Sequence, residues 1–110
     1  MNSLRGEVQV RAGEETLPAL LNMNAFRILC QDLNLELGDL DTLASRNALE
    51  FVPQVMWAGV RNWALYKDQP APQMSFERFA ALLLADPEAI TDYAETIGEA
   101  MGLADPEPGK

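Results

Sequence analysis

Histidine is absent from this 110-residue chain, and cysteine occurs once, at Cys30. The first absence removes imidazole acid–base chemistry, His-ligated zinc and every Ser-His-Asp or Cys-His arrangement. The second excludes an internal disulfide and fits a reducing compartment. Lys and Arg are scarce as well, at 8 against 17 acids, and the net charge of -9 opposes binding to nucleic acid phosphates, which need clustered cations. No apolar run approaches the roughly 20 residues that cross a bilayer. Arg5 is not followed by an apolar stretch, so no secretory signal is visible, and the expectation is a soluble, cytoplasmic chain.

What is present is an ordinary globular composition, 48% hydrophobic and 23% charged, sufficient for one compact core. Both tryptophans lie in the segment 49–66, which reads as one helix. Val52, Met56, Gly59, Val60 and Trp63 recur along one face, while Trp57 points elsewhere. A helix with two apolar sides needs a second cover, supplied by another helix, a second copy or a partner.

The pattern predicts a mainly α domain of four to five helices over residues 1–102, with an N-terminal β-hairpin at about 5–21. Residues 7–11 alternate polar and apolar, residues 12–15 supply a turn, and Thr16 resumes an apolar strand in which Pro18 demands an edge or irregular position. A helix then starts with Asn22 or Asn24 as cap, carries Phe26, Leu29, Cys30, Leu33 and Leu37, and stops at Gly38. A short second helix at 39–44 turns Leu40 and Leu43 inward. The third runs from about Asn47 to Lys67, and Pro53 either kinks it or marks its true first turn. Ser75 caps a fourth, with Met74 and Phe79 placed as a hydrophobic staple, and Asp86-Pro87-Glu88 opens a fifth. That last helix bears Ile90, Tyr93, Ala94, Ile97 and Met101 and has Gly102 as its stop. Residues 103–110 read as a flexible acidic, proline-rich tail.

Carboxylates are the one abundant group with catalytic potential, as in Asp32 with Glu36 or Asp39 with Asp41. Acid–base work needs two carboxylates with split pKa values in a cleft, and a solvated acidic face is the better reading of these. The Asp39-Leu40-Asp41 run lacks the glycine and the twelfth-position acid of a calcium loop. No glycine spacing cradles phosphate, and Cys30 sits in an apolar stripe as a small hydrophobe. The chain is expected to be non-enzymatic, with no cofactor and no metal. The candidate partner-binding residues are Met56, Trp57, Val60, Arg61, Trp63 and Tyr66, because Trp, Tyr and Arg supply much of the energy at protein interfaces. Among them Trp63 is balanced between core and surface.

Several short motifs in order carry a family likeness: the hairpin, Asn-Met-Asn-Ala-Phe from Asn22 to Phe26, Leu-Gly-Asp-Leu from Leu37 to Leu40, Met-Trp-Ala-Gly-Val from Met56 to Val60, and Met-Ser-Phe-Glu from Met74 to Glu77. Together they span roughly Gly6 to Met101, and the chain resembles the tail assembly chaperones of long-tailed bacteriophages and prophages. The resemblance implies a small helical protein that binds the tape measure protein before the tail tube forms around it and keeps its apolar helices soluble. It supplies no catalytic motif, and the chain shows no evident second domain of the kind that would contact the tube protein. The alternative is an acidic regulatory or adaptor protein, such as an antitoxin, anti-repressor or nucleic-acid mimic, that occupies a basic partner surface. The hairpin edge and the second apolar side also allow pairing with another copy, so a homo-oligomer is a further expectation.

Overall fold

The computed structural model describes residues 6–104. A hairpin of β1 (Glu7–Ala12) and β2 (Glu15–Leu20) precedes five helices: α1 (Met23–Leu33), α2 (Asp39–Arg46), α3 (Ala48–Tyr66), α4 (Phe76–Leu84) and α5 (Pro87–Ala104). The mainly helical class with an N-terminal hairpin is therefore as the sequence pattern requires. Side-chain oxygens start four of the helices. Asn22 accepts from the amides of Asn24 and Ala25 at 3.0 and 3.3 Å, Asn47 from Glu50 at 3.3 Å, Ser75 from Arg78 at 3.1 Å, and Asp86 from Ala89 at 3.3 Å.

Antiparallel pairing runs from Glu7 opposite Leu20 to Ala12 opposite Glu15, leaving Gly13 and Glu14 as a two-residue turn. Gly13 has φ of +68°, the left-handed value that a turn with glycine at its first central position requires. The amide of Leu21 donates to the Gly6 carbonyl at 2.9 Å, and hydrogen-bonded pairs alternate from there. Pro18, opposite Gln9, accordingly occupies a non-bonded pair, and its missing N–H would have faced away from β1. The proline costs the ladder nothing. The outer edges are partly closed: the Arg11 amide donates to the Tyr93 hydroxyl at 2.8 Å, and the Asn62 amide donates to the Leu20 carbonyl at 2.9 Å. Self-association through the hairpin edge meets these obstacles.

The ends of α1 and α5 differ from the sequence expectation, whereas α3 starts from its cap Asn47 as expected. α1 ends at Leu33, four residues before Leu37, because Asn34 takes the left-handed conformation at φ 57°. Leu35 then donates to the Cys30 carbonyl at 2.9 Å and Asn34 to Gln31 at 3.3 Å, the paired bonds of a Schellman stop. Leu37 lies off the helix and is 53% exposed. α3 begins five residues before Pro53 and continues through it, so the proline is not in the first turn. Its ring is buried, and the carbonyl four residues back, which its missing N–H cannot serve, belongs to Leu49, an exposed residue. Gly102 does not end α5, which reaches Ala104; the remainder of the expected tail, 105–110, lies outside the described residues.

α3 is the centre of the arrangement, packing against β2 and against each of the other four helices. Val52, Val55, Met56, Ala58 and Val60 are all buried along it, with Phe26, Leu29, Leu40, Phe79 and Ile97 contributed by the elements around it. Its closest approach is to β2 at Gly59, where an added Cβ would stand 2.7 Å from a Leu21 methyl and 3.2 Å from the Ala19 Cβ. Asn62, one turn on, is the buried polar residue of the core. Its amide nitrogen donates to the Leu20 carbonyl and to Asn22 at 2.8 Å, and its oxygen accepts from Asn24 at 2.7 Å. This ties α3 to the strand end and to the cap of α1.

Two stability predictions follow from this junction. Gly59→Ala gains about 1 kcal/mol of helix propensity but overpacks the β2 contact, so urea unfolding should show a net loss of about 1 kcal/mol, and Gly59→Leu a larger one. Asn62→Leu strands the Leu20 carbonyl and the Asn24 amide and should cost about 2 to 3 kcal/mol in the same measurement.

Candidate protein-binding site

The six candidate residues of α3 do not share one groove. Met56 is fully buried, and Val60 is 2% exposed; both belong to the core, and of the two only Val60 also lines the cleft beside Trp63. Trp57 is half-buried beneath α4, its ring centroid 4.9 Å from that of Phe79 and 6.2 Å from that of Phe76, both tilted. The second apolar side of α3 is thus covered from within the chain, at the position where an aromatic pair adds about 1 kcal/mol to area burial. Arg61 points to α1 and forms an ion pair with Asp32, both groups partly exposed. Tyr66 is 62% exposed at the end of the helix, beside Leu65 at 66%.

Trp63 is different. Its Nε1 donates to a Glu7 carboxylate oxygen at 2.9 Å, and the Lys67 Nζ stands 6.0 Å from the ring centroid, so the indole is held from two directions. One side of the ring faces a cleft of about 400 Å³. Val60 and Ala64 form the floor beside Trp63, and Leu17 with Pro18 of β2 makes one wall. The opposite wall is the α3–α4 connection, through Pro70, Pro72 and Met74. The polar rim consists of Glu15, Gln69 and Gln73. Three of the apolar walls are prolines, whose fixed φ keeps the recess open without further hydrogen bonds.

The connection is shaped locally. Asp68 takes φ of 57°, and the Gln69 amide donates back to the Ala64 carbonyl at 2.8 Å, which turns the chain off the end of α3 and across Trp63. Reading of the sequence placed Trp63 and Tyr66 correctly on α3 but gave no role to Glu7, Leu17 or the proline loop. The signal available was the Pro70 and Pro72 pair directly after the tryptophan helix; what it lacked was the knowledge that the hairpin would come to lie opposite.

The carboxylates raised as catalytic candidates stay apart on the surface. Asp32 faces Arg61, Asp39 accepts from the Glu36 amide at 3.0 Å in the turn before α2, and Glu36 and Asp41 are exposed. Among the described residues, no group of three or more Cys, Asp or Glu side chains converges to hold a metal ion. No helix there is long and apolar enough to cross a membrane. Cys30 lies at the margin of the core, and burial, with a smaller contribution from the Asp39 charge, raises its thiol pKa.

Two measurements test these placements. Trp57→Ala should lower stability by about 3 kcal/mol in a denaturant melt, since it empties the α3–α4 contact; an unchanged melt would show that α4 does not depend on the indole. Cys30 should alkylate slowly at neutral pH, with the rate rising only above the pH at which a free thiol ionises. With its folded pKa raised, the thiol's contribution to stability is complete below the unfolded value and is lost as pH climbs through the folded one. Comparison with family models, with curated proteins and with solved structures gives no match for this chain.

Proposed function

We propose that this chain is a non-enzymatic tail assembly chaperone of a phage or prophage, acting in the cytoplasm of the bacterial host, where it binds the tape measure protein and keeps it soluble. The observation that carries the reading is the open, largely apolar cleft beside Trp63, with Leu65 and Tyr66 exposed at the same end of α3. A client rich in apolar helix needs such a recess to shield its side chains, and the net charge of -9 gives the complex repulsion against further aggregation. The order of motifs from Asn22 to Glu77 supports the same assignment.

A second reading, an acidic regulator that occupies a basic surface, is favoured by one feature of α5. Glu88, Asp92, Glu95 and Glu99 fall at helical spacing, all are exposed, and no Lys or Arg lies on the helix.

Co-expression with the tape measure protein separates the two readings. The chaperone reading expects the tape measure protein to move from the insoluble to the soluble fraction and to co-purify at about 0.5 M salt, where screening shortens to a few Å. A tape measure protein that stays insoluble overturns it, and a complex lost on raising the salt points to the charged face of α5.

A further inference from the structure

We infer that the Trp63 cleft receives a large apolar side chain from a partner protein segment that carries Lys or Arg next to it. The inference rests on the protein-binding reading above and names the chemistry of what enters. The argument is one of donors and acceptors. Pro18, Pro70 and Pro72 have no N–H, and the single donor of Trp63 is engaged by Glu7. That leaves the amides of Gln69 and Gln73 as side-chain donors, against a Glu15 carboxylate that only accepts. Among the described residues no Lys or Arg lines the recess; Lys67 stands over the indole ring instead. An anion entering here meets a carboxylate and no cationic donor among the described lining residues, whereas an ammonium or guanidinium finds the Glu15 carboxylate and the Gln69 and Gln73 carbonyl oxygens.

Size and stiffness narrow the occupant further. A volume of about 400 Å³ sits at the low end of ligand sites, which run from roughly 300 to 1,000 Å³. It admits one large side chain and part of its neighbour, not the face of a whole helix. The walls are already ordered by Glu7 on Trp63 and by the proline rings, so little entropy is lost when the cleft fills. Glu15 lies at the turn of the hairpin beside Glu14, both exposed, which places negative charge where a flanking cation of the incoming segment would rest.

Calorimetry on the full chain, with three short synthetic peptides as probes, tests this. The first has leucines flanked by lysines, the second has glutamates in place of the lysines, and the third has serines in place of the leucines. The first should bind, with the other two much weaker, and the emission of Trp63 should shift to shorter wavelength in a Trp57→Phe background. Glu15→Lys and Gln73→Lys are surface changes that should leave the circular dichroism spectrum unchanged, and each puts a like charge beside the peptide's lysines and should weaken the first peptide about fivefold. Equal binding of the serine peptide, or of the glutamate peptide, overturns the inference. So does an affinity that both variants leave unchanged while Glu95→Gln with Glu99→Gln on α5 reduces it. If the wild-type chain solubilises the tape measure protein and both lysine variants do so equally well, the cleft inference fails and the chaperone reading stands. Peptide binding in the expected order without any effect on tape measure solubility supports the cleft and overturns the chaperone reading.

Discussion

Burying α3 is the condition that the rest of the molecule satisfies. The helix has 19 residues, and from Phe51 to Ala64 it has buried residues on more than one side, including Val52, Val55, Met56, Ala58 and Val60. A helix apolar around much of its circumference is stable in water only when other elements enclose it. β2 closes against Gly59, α1 reaches Arg61 and Asn62, α4 covers Trp57, and α2 and α5 pack on the helix as well. Each of these elements is short or amphipathic and would be marginal alone, so the central helix and its shell are mutually dependent.

That dependence explains where surface is left over. α4 meets Trp57 with Phe76 and Phe79, so that side of α3 is already partly covered from within the chain. Past Val60 the shell thins. The chain leaves the helix through Asp68, and a proline-bearing loop arches across Trp63 without filling the space between itself and β2. The cleft is therefore what remains where α4 packs its aromatic rings on Trp57 and no element packs in the same way on Trp63. Holding Trp63 by Glu7 turns that leftover space into a recess with a fixed wall.

The buried asparagine junction has a related effect. Asn62 connects the end of β2, the cap of α1 and the body of α3 through three hydrogen bonds, each satisfying a polar group that would otherwise be stranded. A junction of this kind sets the hairpin's position relative to α3, and with it the distance between Pro18 and Trp63 across the cleft. Core packing alone, which tolerates sliding of smooth apolar surfaces, specifies such a distance less sharply.

The sequence by itself determined the hairpin, the order of four to five helices, the start of α3 near Asn47 and the caps at Ser75 and Asp86, and it narrowed the cap of α1 to Asn22 or Asn24, because these rest on local rules: alternation, helical spacing and short-range hydrogen bonds. It also showed that α3 has more apolar surface than one face can hide. It missed the early stop of α1, since Asn34 competes with Gly38 for the left-handed position and only the Schellman bonds decide between them. It could not tell Trp57 from Trp63, because both stand on the same helix and their fates depend on α4 and on the hairpin, which are distant along the chain. The tertiary structure alone decided which indole is covered, brought Glu7 to Trp63 across 56 positions of sequence, and set the hairpin opposite the proline loop. The physical reason is that burial and cleft formation are properties of how faces meet, and a periodic pattern defines a face without saying what will cover it.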